Sequence, residues 1–203
     1  MQSEAPKPTQ EQLIEARPYL ASIDRTIRDG FPRYELSSFF AIPGALKAFS
    51  NDIISYFTGD IGTLDGWVGL DALGFIVAGS LAGITGKSMI PARKGGKLAL
   101  PPDEILRTGP VNDYLDAYAE RAGATKSVKT LEFRRDLIKP GARLIVVDEW
   151  IDIGGQMTSV VDLLESHGVV IVGIATLHID LEQERTPKLW RERKVFAADS
   201  SPL

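Results

Sequence analysis

The chain of 203 residues has no cysteine, which excludes disulfide bonds, thiolate metal sites and a cysteine nucleophile. His167 and His178 are its only histidines, and no ligand cluster accompanies them, which argues against a histidine metal site. The longest apolar run, Val169–Leu177, is about half of a membrane span. Residues 1–12 lack the apolar core of a secretory signal. These absences predict a soluble, cytoplasmic protein without a membrane partner.

Positive charge is also in deficit. The 23 Lys and Arg residues face 27 Asp and Glu residues, so the formal net charge is −4. A general nucleic-acid binder needs an extended basic face, and this composition argues against one. It leaves room for a small anion in a local pocket.

What the chain does contain is typical of one globular domain: 44% hydrophobic and 25% charged residues. We expect a flexible tail over residues 1–10 and a single domain over residues 11–203. Residues 11–45 form its N-terminal region. Residues 98–130 are polar, interrupted by proline and glycine, and predict a mobile insertion with a short helix over residues 111–121.

Apolar periodicity predicts helices over Glu11–Arg28, Pro43–Phe57 and Phe75–Ile84. The short apolar runs Trp67–Leu70 and Lys87–Ala92 predict strands. These elements alternate along the chain, which is the order expected of an α/β domain.

The last third of the chain has the clearest pattern. A buried strand is predicted over Arg143–Asp148, a glycine loop at Gly154–Gly155, a helix over Gln156–Ser166 and a second strand over Val169–Leu177. Gly168 is the expected cap of the helix. Neither strand alternates polar with apolar residues, because helices cover both faces of such a sheet. The predicted fold is α/β, with a mostly parallel sheet flanked by helices.

Chemistry is predicted where the strand Arg143–Asp148 ends. Ligands of parallel sheets bind at the carboxyl ends of strands, where Asp148 and Glu149 fall. Gly154 and Gly155 let backbone N–H groups face an anion beside a helix N-terminus. Two carboxylates beside such a loop suit a diol, Mg²⁺ or both. The alternative is a helix-start turn with solvated acids. Trp150, inside the segment, either covers a site or packs in the core.

This segment resembles the phosphoribosyl pyrophosphate-binding motif of type I phosphoribosyltransferases: a hydrophobic run, two acids, two hydrophobic residues and a glycine-rich loop. Further segments are similar to the adenine phosphoribosyltransferases within that family, in the same order along the chain. They are the pyrophosphate loop in Val68–Phe75, the basic segment Ile90–Leu98 and the run Thr130–Gly141 before the motif strand.

The resemblance implies a parallel-sheet core under a small N-terminal hood, Mg²⁺ as cofactor, a homodimer, and exchange of pyrophosphate for a nitrogenous base at ribose C1. It implies that Asp148 and Glu149 contact the ribose hydroxyls and support Mg²⁺, with Glu149 and Asp152 as catalytic acids. The implied 5-phosphate loop consists of Asp152, Ile153, Gly154, Gly155 and Gln156; the implied pyrophosphate loop consists of Asp71, Ala72, Leu73 and Gly74. Arg93 and Lys97 add positive charge beside the pyrophosphate or serve a dimer contact; the alternative is a solvated basic turn.

Several positions depart from the pattern of the adenine enzymes. Leu73 replaces an arginine, and Ile153 and Gln156 replace threonines, so polar phosphate contacts are missing. Asp152 stands where those enzymes have alanine and where hypoxanthine-guanine enzymes have aspartate. It is either a general acid/base or a residue that closes the loop.

Further departures fall near the base. Ala124–Ser127 lacks the glutamate of the family's mobile loop, and only Phe31–Pro32 resembles the start of the hood. Three functions therefore remain as hypotheses. The first is a phosphoribosyltransferase acting on a purine-like base, adenine or a related one. The second is a catalytically inactive sensor that binds phosphoribosyl pyrophosphate or a nucleotide. The third is an enzyme of specialised nucleoside metabolism with an unusual base.

Overall fold

A computed structural model describes residues 9–26, 34–111, 129–183 and 186–200. The predicted tail lies almost entirely outside this range, as do Phe31–Pro32, Ala124–Ser127 and nearly all of the helix predicted over residues 111–121. Within the described residues, no helix combines the length and the apolar character that crossing a membrane requires.

The N-terminal region is not the single helix predicted over Glu11–Arg28. Helix α1 covers Gln10–Ala16 and begins with a capping box in which Thr9 and Gln12 bond each other's backbone N–H groups. It ends there because Pro18 has no N–H to continue the ladder and restricts the residue before it. A 3₁₀ turn, Pro18–Ser22, follows. Farther on, Asp24 and Glu35 form an isolated antiparallel bridge.

Helices α2 (Ser37–Ala41), α3 (Ala45–Tyr56), α4 (Thr58–Ile61) and α5 (Gly74–Thr85) follow. The predictions that correspond to α3 and α5 are confirmed to within two residues at each end. Helix α5 ends at Gly86, which has a left-handed φ of 67° that other residues adopt only under strain. Both α3 and α5 pack against the same face of the sheet.

The remaining elements are strands and two more helices. They are β1 (Gly66–Leu70), β2 (Ser88–Lys94), β3 (Ile105–Arg107), β4 (Leu131–Arg134), β5 (Arg143–Ile151), α6 (Gly155–Ser166), β6 (Val170–Ile179), α7 (Thr186–Glu192) and β7 (Val195–Asp199). The strands form one seven-stranded sheet in the order β3-β4-β2-β1-β5-β6-β7. The five strands from β2 to β7 run parallel, whereas β3 and β4 are antiparallel additions at one edge. The predicted α/β fold with a mostly parallel sheet is confirmed.

Strand β5 is longer than predicted. It continues past Asp148 to Ile151, because Trp150 and Ile151 still pair with His178 and Ile179 of β6. Trp150 is 5% exposed, so of the two alternatives given for it the structure shows packing. The acid pair therefore lies within the strand, and the loop begins only at Asp152.

Strands β3 and β4 were not predicted. Ile105 and Leu106 of β3 lie inside the range predicted as a loop, and both strands are short. An ion pair joins them: Arg107 Nη2 lies 2.6 Å from Oε1 of Glu132, whose side chain is fully buried, whereas the Arg107 side chain is 55% exposed. The core thus has a second apolar cluster on the sheet face opposite α3 and α5, filled by α6 and by residues of β3 and β4.

Candidate active site

Three loops meet at the carboxyl-terminal edge of the neighbouring strands β2, β1 and β5. Residues Asp71–Leu73 connect β1 to α5, Gly95–Lys97 form a turn directly after β2, and Asp152–Gly154 connect β5 to α6. Carboxyl ends of parallel strands share one edge, so the fold alone gathers three segments that are far apart in sequence. Each segment is one that the sequence marked as functional.

The first loop is tied to the end of β2 through Asp71. The Asp71 N–H donates to the carbonyl oxygen of Ala92 at 3.0 Å. Its Oδ2 accepts from the backbone N–H of Lys94 and pairs with Nε of Arg93, both at 3.3 Å. The peptide bond between Asp71 and Ala72 is cis. These contacts bring the Arg93 guanidinium to the loop that contains Leu73.

Gly74 joins the first loop to β5. A Cβ at this position would lie 2.9 Å from the carbonyl oxygen of Val147 and 3.0 Å from Oδ1 of Asp148. Only a residue without a side chain allows the start of α5 to approach the acid pair so closely. Gly74 therefore places the loop that contains Asp71 next to Asp148.

The acid pair has an ordered geometry. Oδ1 of Asp148 accepts the backbone N–H of Glu149 at 3.0 Å, and Glu149 is only 7% exposed whereas Asp148 is half-buried. No group of three acidic or histidine side chains within the described ranges forms a metal cage. Mg²⁺ commonly takes one or two carboxylates and completes its coordination with water and substrate oxygens, and these two oxygen donors fit that pattern.

The third loop has the geometry of an anion site. Gly154 is the N-cap of α6 with φ +75°, and its carbonyl oxygen accepts the N–H of Thr158 at 2.9 Å. The N–H groups in the first turn of an α-helix have no acceptors within the helix, so they are available to a ligand. Gly154 and Gly155 are buried, while Ile153 and Gln156 are half-buried.

The structure places the other predicted residues around this centre. Asp152 is half-buried at the end of β5, Ala72 is exposed, and Leu73 is the half-buried N-cap of α5. The side chain of Lys97 is exposed on the turn after β2, and its backbone N–H donates to Lys94 at 3.2 Å.

Glu132 is a residue that the sequence analysis missed. Its Oε2 accepts the N–H of Gly96 at 3.0 Å and its Oε1 accepts Nε of Arg107 at 2.8 Å. Burial raises the pKa of this carboxyl, but the Gly96 N–H and the Arg107 guanidinium outweigh burial, so the pKa lies below its ordinary value of 4.5. The carboxylate thereby fixes the turn that carries Lys97. An acid between the apolar residues Leu131 and Phe133 is the signal that marks it.

Comparison with solved structures identifies the architecture. The chain is similar to the adenine phosphoribosyltransferase of Rhodothermus marinus, with 24% identity, a TM-score of 0.73 and coverage of 93% of this chain and 98% of that one. The Giardia lamblia enzyme, solved with 9-deazaadenine, has 21% identity and a TM-score of 0.74, with coverage of 91% of this chain and 97% of that one. The Trypanosoma brucei enzyme, solved with AMP, pyrophosphate and ribose-5-phosphate, has 16% identity and a TM-score of 0.72, with coverage of 90% of this chain and 73% of that one.

No protein-family model matches the sequence. The identities are low, and what they share is the arrangement of strands and helices over nearly the whole chain. The resemblance inferred from the motifs is therefore confirmed at the level of the fold: this chain has the type I phosphoribosyltransferase fold, as seen in the adenine phosphoribosyltransferases.

Proposed function

We propose that this chain is a phosphoribosyltransferase that transfers the phosphoribosyl group of phosphoribosyl pyrophosphate to a purine-like base and releases pyrophosphate. The observation that carries the proposal is the junction of three loops, in which Asp71 pairs with Arg93 while Gly74 lies against Asp148. Acids for a diol, a glycine loop for a phosphate and a cation for pyrophosphate are thereby side by side. The Giardia and Trypanosoma enzymes, solved with a base analogue and with AMP and pyrophosphate, support adenine or a related base.

The reaction exchanges two bonds at ribose C1. The bond from C1 to a pyrophosphate oxygen breaks, and a base nitrogen forms the new bond to C1. The sugar passes through an oxocarbenium-like state, so the protein acts mainly by placing charge around it. The base nitrogen loses its proton, which requires a nearby acceptor.

The acid pair is assigned to the ribose. We assign Asp148 and Glu149 to the ribose hydroxyls and, together with substrate oxygens, to Mg²⁺. The ion would supply positive charge to the pyrophosphate as its bond to C1 breaks. The buried position of Glu149 lowers its freedom to move and suits a fixed hydrogen-bond acceptor.

The two anionic ends of the substrate are assigned to the flanking loops. Backbone N–H groups of residues 152–156 would hold the 5-phosphate, which needs no hydroxyl at Ile153 or Gln156. Residues 71–74 would hold the pyrophosphate, and Arg93, paired with Asp71, would supply the charge that Leu73 lacks. Lys97, on the turn fixed by Glu132, is the second cation.

Asp152 is assigned the role of accepting the proton from the base nitrogen. It follows directly after β5, is half-buried, and is the first residue of the loop that would bind the 5-phosphate. From there its carboxylate would accept the proton that the base nitrogen releases.

The test is pyrophosphate release from phosphoribosyl pyrophosphate and Mg²⁺ in the presence of a panel of bases. We expect turnover with at least one purine-like base and a loss of at least about 100-fold in kcat/KM for Asp148→Asn. Asp136→Asn is the matched control, since this exposed acid pairs with Arg134 away from the three loops. Wild-type protein that turns over no base at all would contradict the proposal.

A second candidate function is favoured by Leu73, Ile153 and Gln156, which replace polar residues in both anion loops. In this case the chain is a sensor that binds phosphoribosyl pyrophosphate or a nucleotide without turnover. Calorimetry separates the two functions: binding of phosphoribosyl pyrophosphate without pyrophosphate release supports the sensor. Absence of both binding and turnover removes both candidates.

We also propose that the active form is a homodimer joined through α5. This helix is apolar on every side, and Ile76 and Ile84 are 41% and 47% exposed. A Cβ at Gly79 or Gly83 would meet nothing, so this face offers a smooth, apolar contact surface. The pyrophosphate loop leads into this helix, which places the contact beside the site.

Sedimentation tests the dimer. Wild-type protein should sediment as a dimer and Ile84→Glu as a monomer, because a charge at an apolar contact is costly to bury. Val170→Glu is the control, since this equally exposed residue begins β6, away from α5. A monomeric wild type, or a dimer that survives Ile84→Glu, contradicts the α5 interface.

A further inference from the structure

Three register partners form a buried row across the last strands of the sheet. Trp150 of β5 pairs with His178 of β6, which in turn pairs with Asp199 of β7. The indole and imidazole rings stack with centroids 4.0 Å apart and an angle of 22°. His178 Nδ1 lies 3.6 Å from Oδ2 of Asp199. All three residues are at most 5% exposed, and we call them the Trp150–His178–Asp199 row.

The N-terminal region closes over this row. Arg25 Nη1 donates to Oδ2 of Asp199 at 2.9 Å, although the two residues are 174 positions apart. The guanidinium carbon of Arg25 lies 5.1 Å from the centre of the Tyr34 ring. Tyr34 packs edge-on against Trp150 at 5.4 Å and against His178 at 6.2 Å. Arg25 and Tyr34 are also close to the Asp24–Glu35 bridge, so one compact unit covers the row.

The row lies at the edge of the sheet that carries the proposed site. Trp150 directly follows the acid pair, and Ile151, the last residue of β5, accepts the N–H of Asp180 through its carbonyl oxygen at 2.9 Å. Asp152 is the next residue. The position of Trp150 therefore sets where β5 ends and where the loop of Asp152 begins.

The polar character of the row calls for an explanation. Apolar side chains would pack three register partners at least as well, whereas a buried carboxylate and guanidinium must give up their hydration. What an ion pair provides beyond packing is a directional link between two distant segments. The ion pair between Arg25 and Asp199 joins the N-terminal region to the Trp150–His178–Asp199 row, which lies beside the acid pair.

We propose that Arg25 and Asp199 are positioning residues for the nitrogenous base. They act through His178 and Trp150, and they hold the N-terminal region at a fixed distance from Asp152, so that the base enters a preformed gap between the two. This inference rests on the proposed transferase function. It predicts a larger effect on the base than on phosphoribosyl pyrophosphate, because the latter is also assigned to the loops after β1 and β2, which lie farther from the row in the strand order.

The same change, arginine to glutamine, made at two positions tests the proposal. Arg25→Gln removes the link to Asp199. Arg17→Gln is the matched control. Arg17 also belongs to the N-terminal region and also reaches β7, through Nη1 to the carbonyl oxygen of Ala198 at 3.4 Å, and its ion pair and ring contact are with Asp52 and Phe196, which lie outside the row. We expect Arg25→Gln to raise KM for the base about tenfold and to leave KM for phosphoribosyl pyrophosphate within about twofold. Arg17→Gln should lower Tm while leaving both KM values within about twofold.

Rescue sharpens the test. Arg25→Lys keeps the charge and should recover part of the base KM. If Arg25→Gln does not fold, Asp199→Asn takes its place, because it keeps a side chain of the same size and one acceptor oxygen while removing the charge. Equal effects of the Arg25 and Arg17 variants on KM for the base, or an unchanged value in Arg25→Gln, would overturn the proposal while the transferase function stands.

Amide hydrogen exchange gives a readout that needs no turnover. In Arg25→Gln, the peptide covering residues 148–157 should exchange faster than in wild-type protein, and in Arg17→Gln it should not. If the wild type has no activity but this difference is seen, the transferase function fails and the mechanical link stands. If the peptide exchanges alike in both variants, the link itself is wrong.

Discussion

Two aspartates flank β1, and they do opposite things. Asp65, before the strand, accepts the backbone N–H of Arg143 at 2.7 Å through Oδ2. Its own N–H and carbonyl oxygen bond Arg143 and Ser88, so a single residue ties the starts of β5 and β2 to β1. Asp71, after the strand, contacts the Arg93 side chain and the Lys94 N–H at the longer distance of 3.3 Å.

The difference reflects what each edge of the sheet is for. At the amino-terminal edge, the Asp65 carboxylate makes a short hydrogen bond to a backbone N–H group and thereby helps to fix the register of the strands. At the carboxyl-terminal edge, the carboxylate holds a cation beside a loop, and that cation keeps about a third of its side chain exposed, at 37%. The same residue type is structural at one end of a strand and is proposed to be functional at the other.

The largest expected effect contrasts two glycines placed in the same way. A Cβ at Gly74 would press on Val147 and Asp148 at the carboxyl-terminal edge, and a Cβ at Gly66 would lie 2.8–2.9 Å from Ser88 at the other edge. We expect Gly74→Ala to lower kcat/KM by about 100-fold, or about 2.7 kcal/mol, because it displaces the acid pair. Gly66→Ala should cost about 1–3 kcal/mol of stability.

Pyrophosphate release and urea unfolding, measured on both variants, check this contrast. The folded fraction of Gly66→Ala should keep wild-type kcat/KM. A Gly74→Ala variant with full activity would break the distinction between the two edges.

The next largest effect comes from replacing each of the two aspartates by alanine and comparing activity with stability. Asp71→Ala should reduce kcat/KM about 30-fold, or about 2 kcal/mol, because Arg93 loses the partner that orients it. Asp65→Ala should instead lower the free energy of unfolding by about 1–2 kcal/mol, since the Arg143 N–H loses its acceptor. Chemical denaturation and steady-state kinetics on the same preparations decide the matter; a loss of stability in Asp71→Ala equal to that in Asp65→Ala would remove the contrast.

The smallest expected effect concerns Glu132. This acid lies near the carboxyl-terminal edge of the sheet, like Asp71, but its role is structural. The pKa of Glu132 is lowered in the folded protein, so its carboxylate stabilises the fold above about pH 4.5. We expect Glu132→Gln to cost about 1.5 kcal/mol at pH 7. As pH falls below 4.5 the unfolded chain takes up the proton first, and the two unfolding free energies converge until pH passes the lowered pKa of the folded carboxyl.

Urea unfolding at pH 7 and at several values below 4.5 gives the curve, with Asp136→Asn as an exposed control. A difference between Glu132→Gln and wild type that does not change with pH would show that the charge of Glu132 is unimportant.

The central strands and α6 were predictable because local signals agree with the fold. The apolar run before Asp148 and the glycines after it mark a strand, a turn and a helix start, whatever surrounds them. The motifs at Asp71, Arg93 and Asp148 were visible in sequence, and the parallel topology brings them to one edge.

Other features depend on partners distant in sequence. Strands β3 and β4 are too short and polar to be recognised, and the Glu132–Arg107 pair that joins them exists only in the folded chain. The Trp150–His178–Asp199 row needs the register of three strands, which no single segment encodes. The predicted helix over Glu11–Arg28 was wrong because its apolar pattern was given more weight than Pro18. The predicted cytoplasmic location, the Mg²⁺ requirement and the domain boundaries stay predictions.

The bond between Arg25 and Asp199 also has a consequence for synthesis on the ribosome. Tyr19 can pair with Asp52 of α3 early in synthesis, whereas the strand that ends at Asp199 is the last to be made among those described, so Arg25 has no Asp199 partner until β7 has emerged. Until then Tyr34 has no complete row to pack on. We expect that a nascent chain stalled before β7 leaves the segment Asp24–Thr26 more open to protease than the completed chain does. The link that is proposed to position the base therefore forms only after nearly all of the described chain has been made.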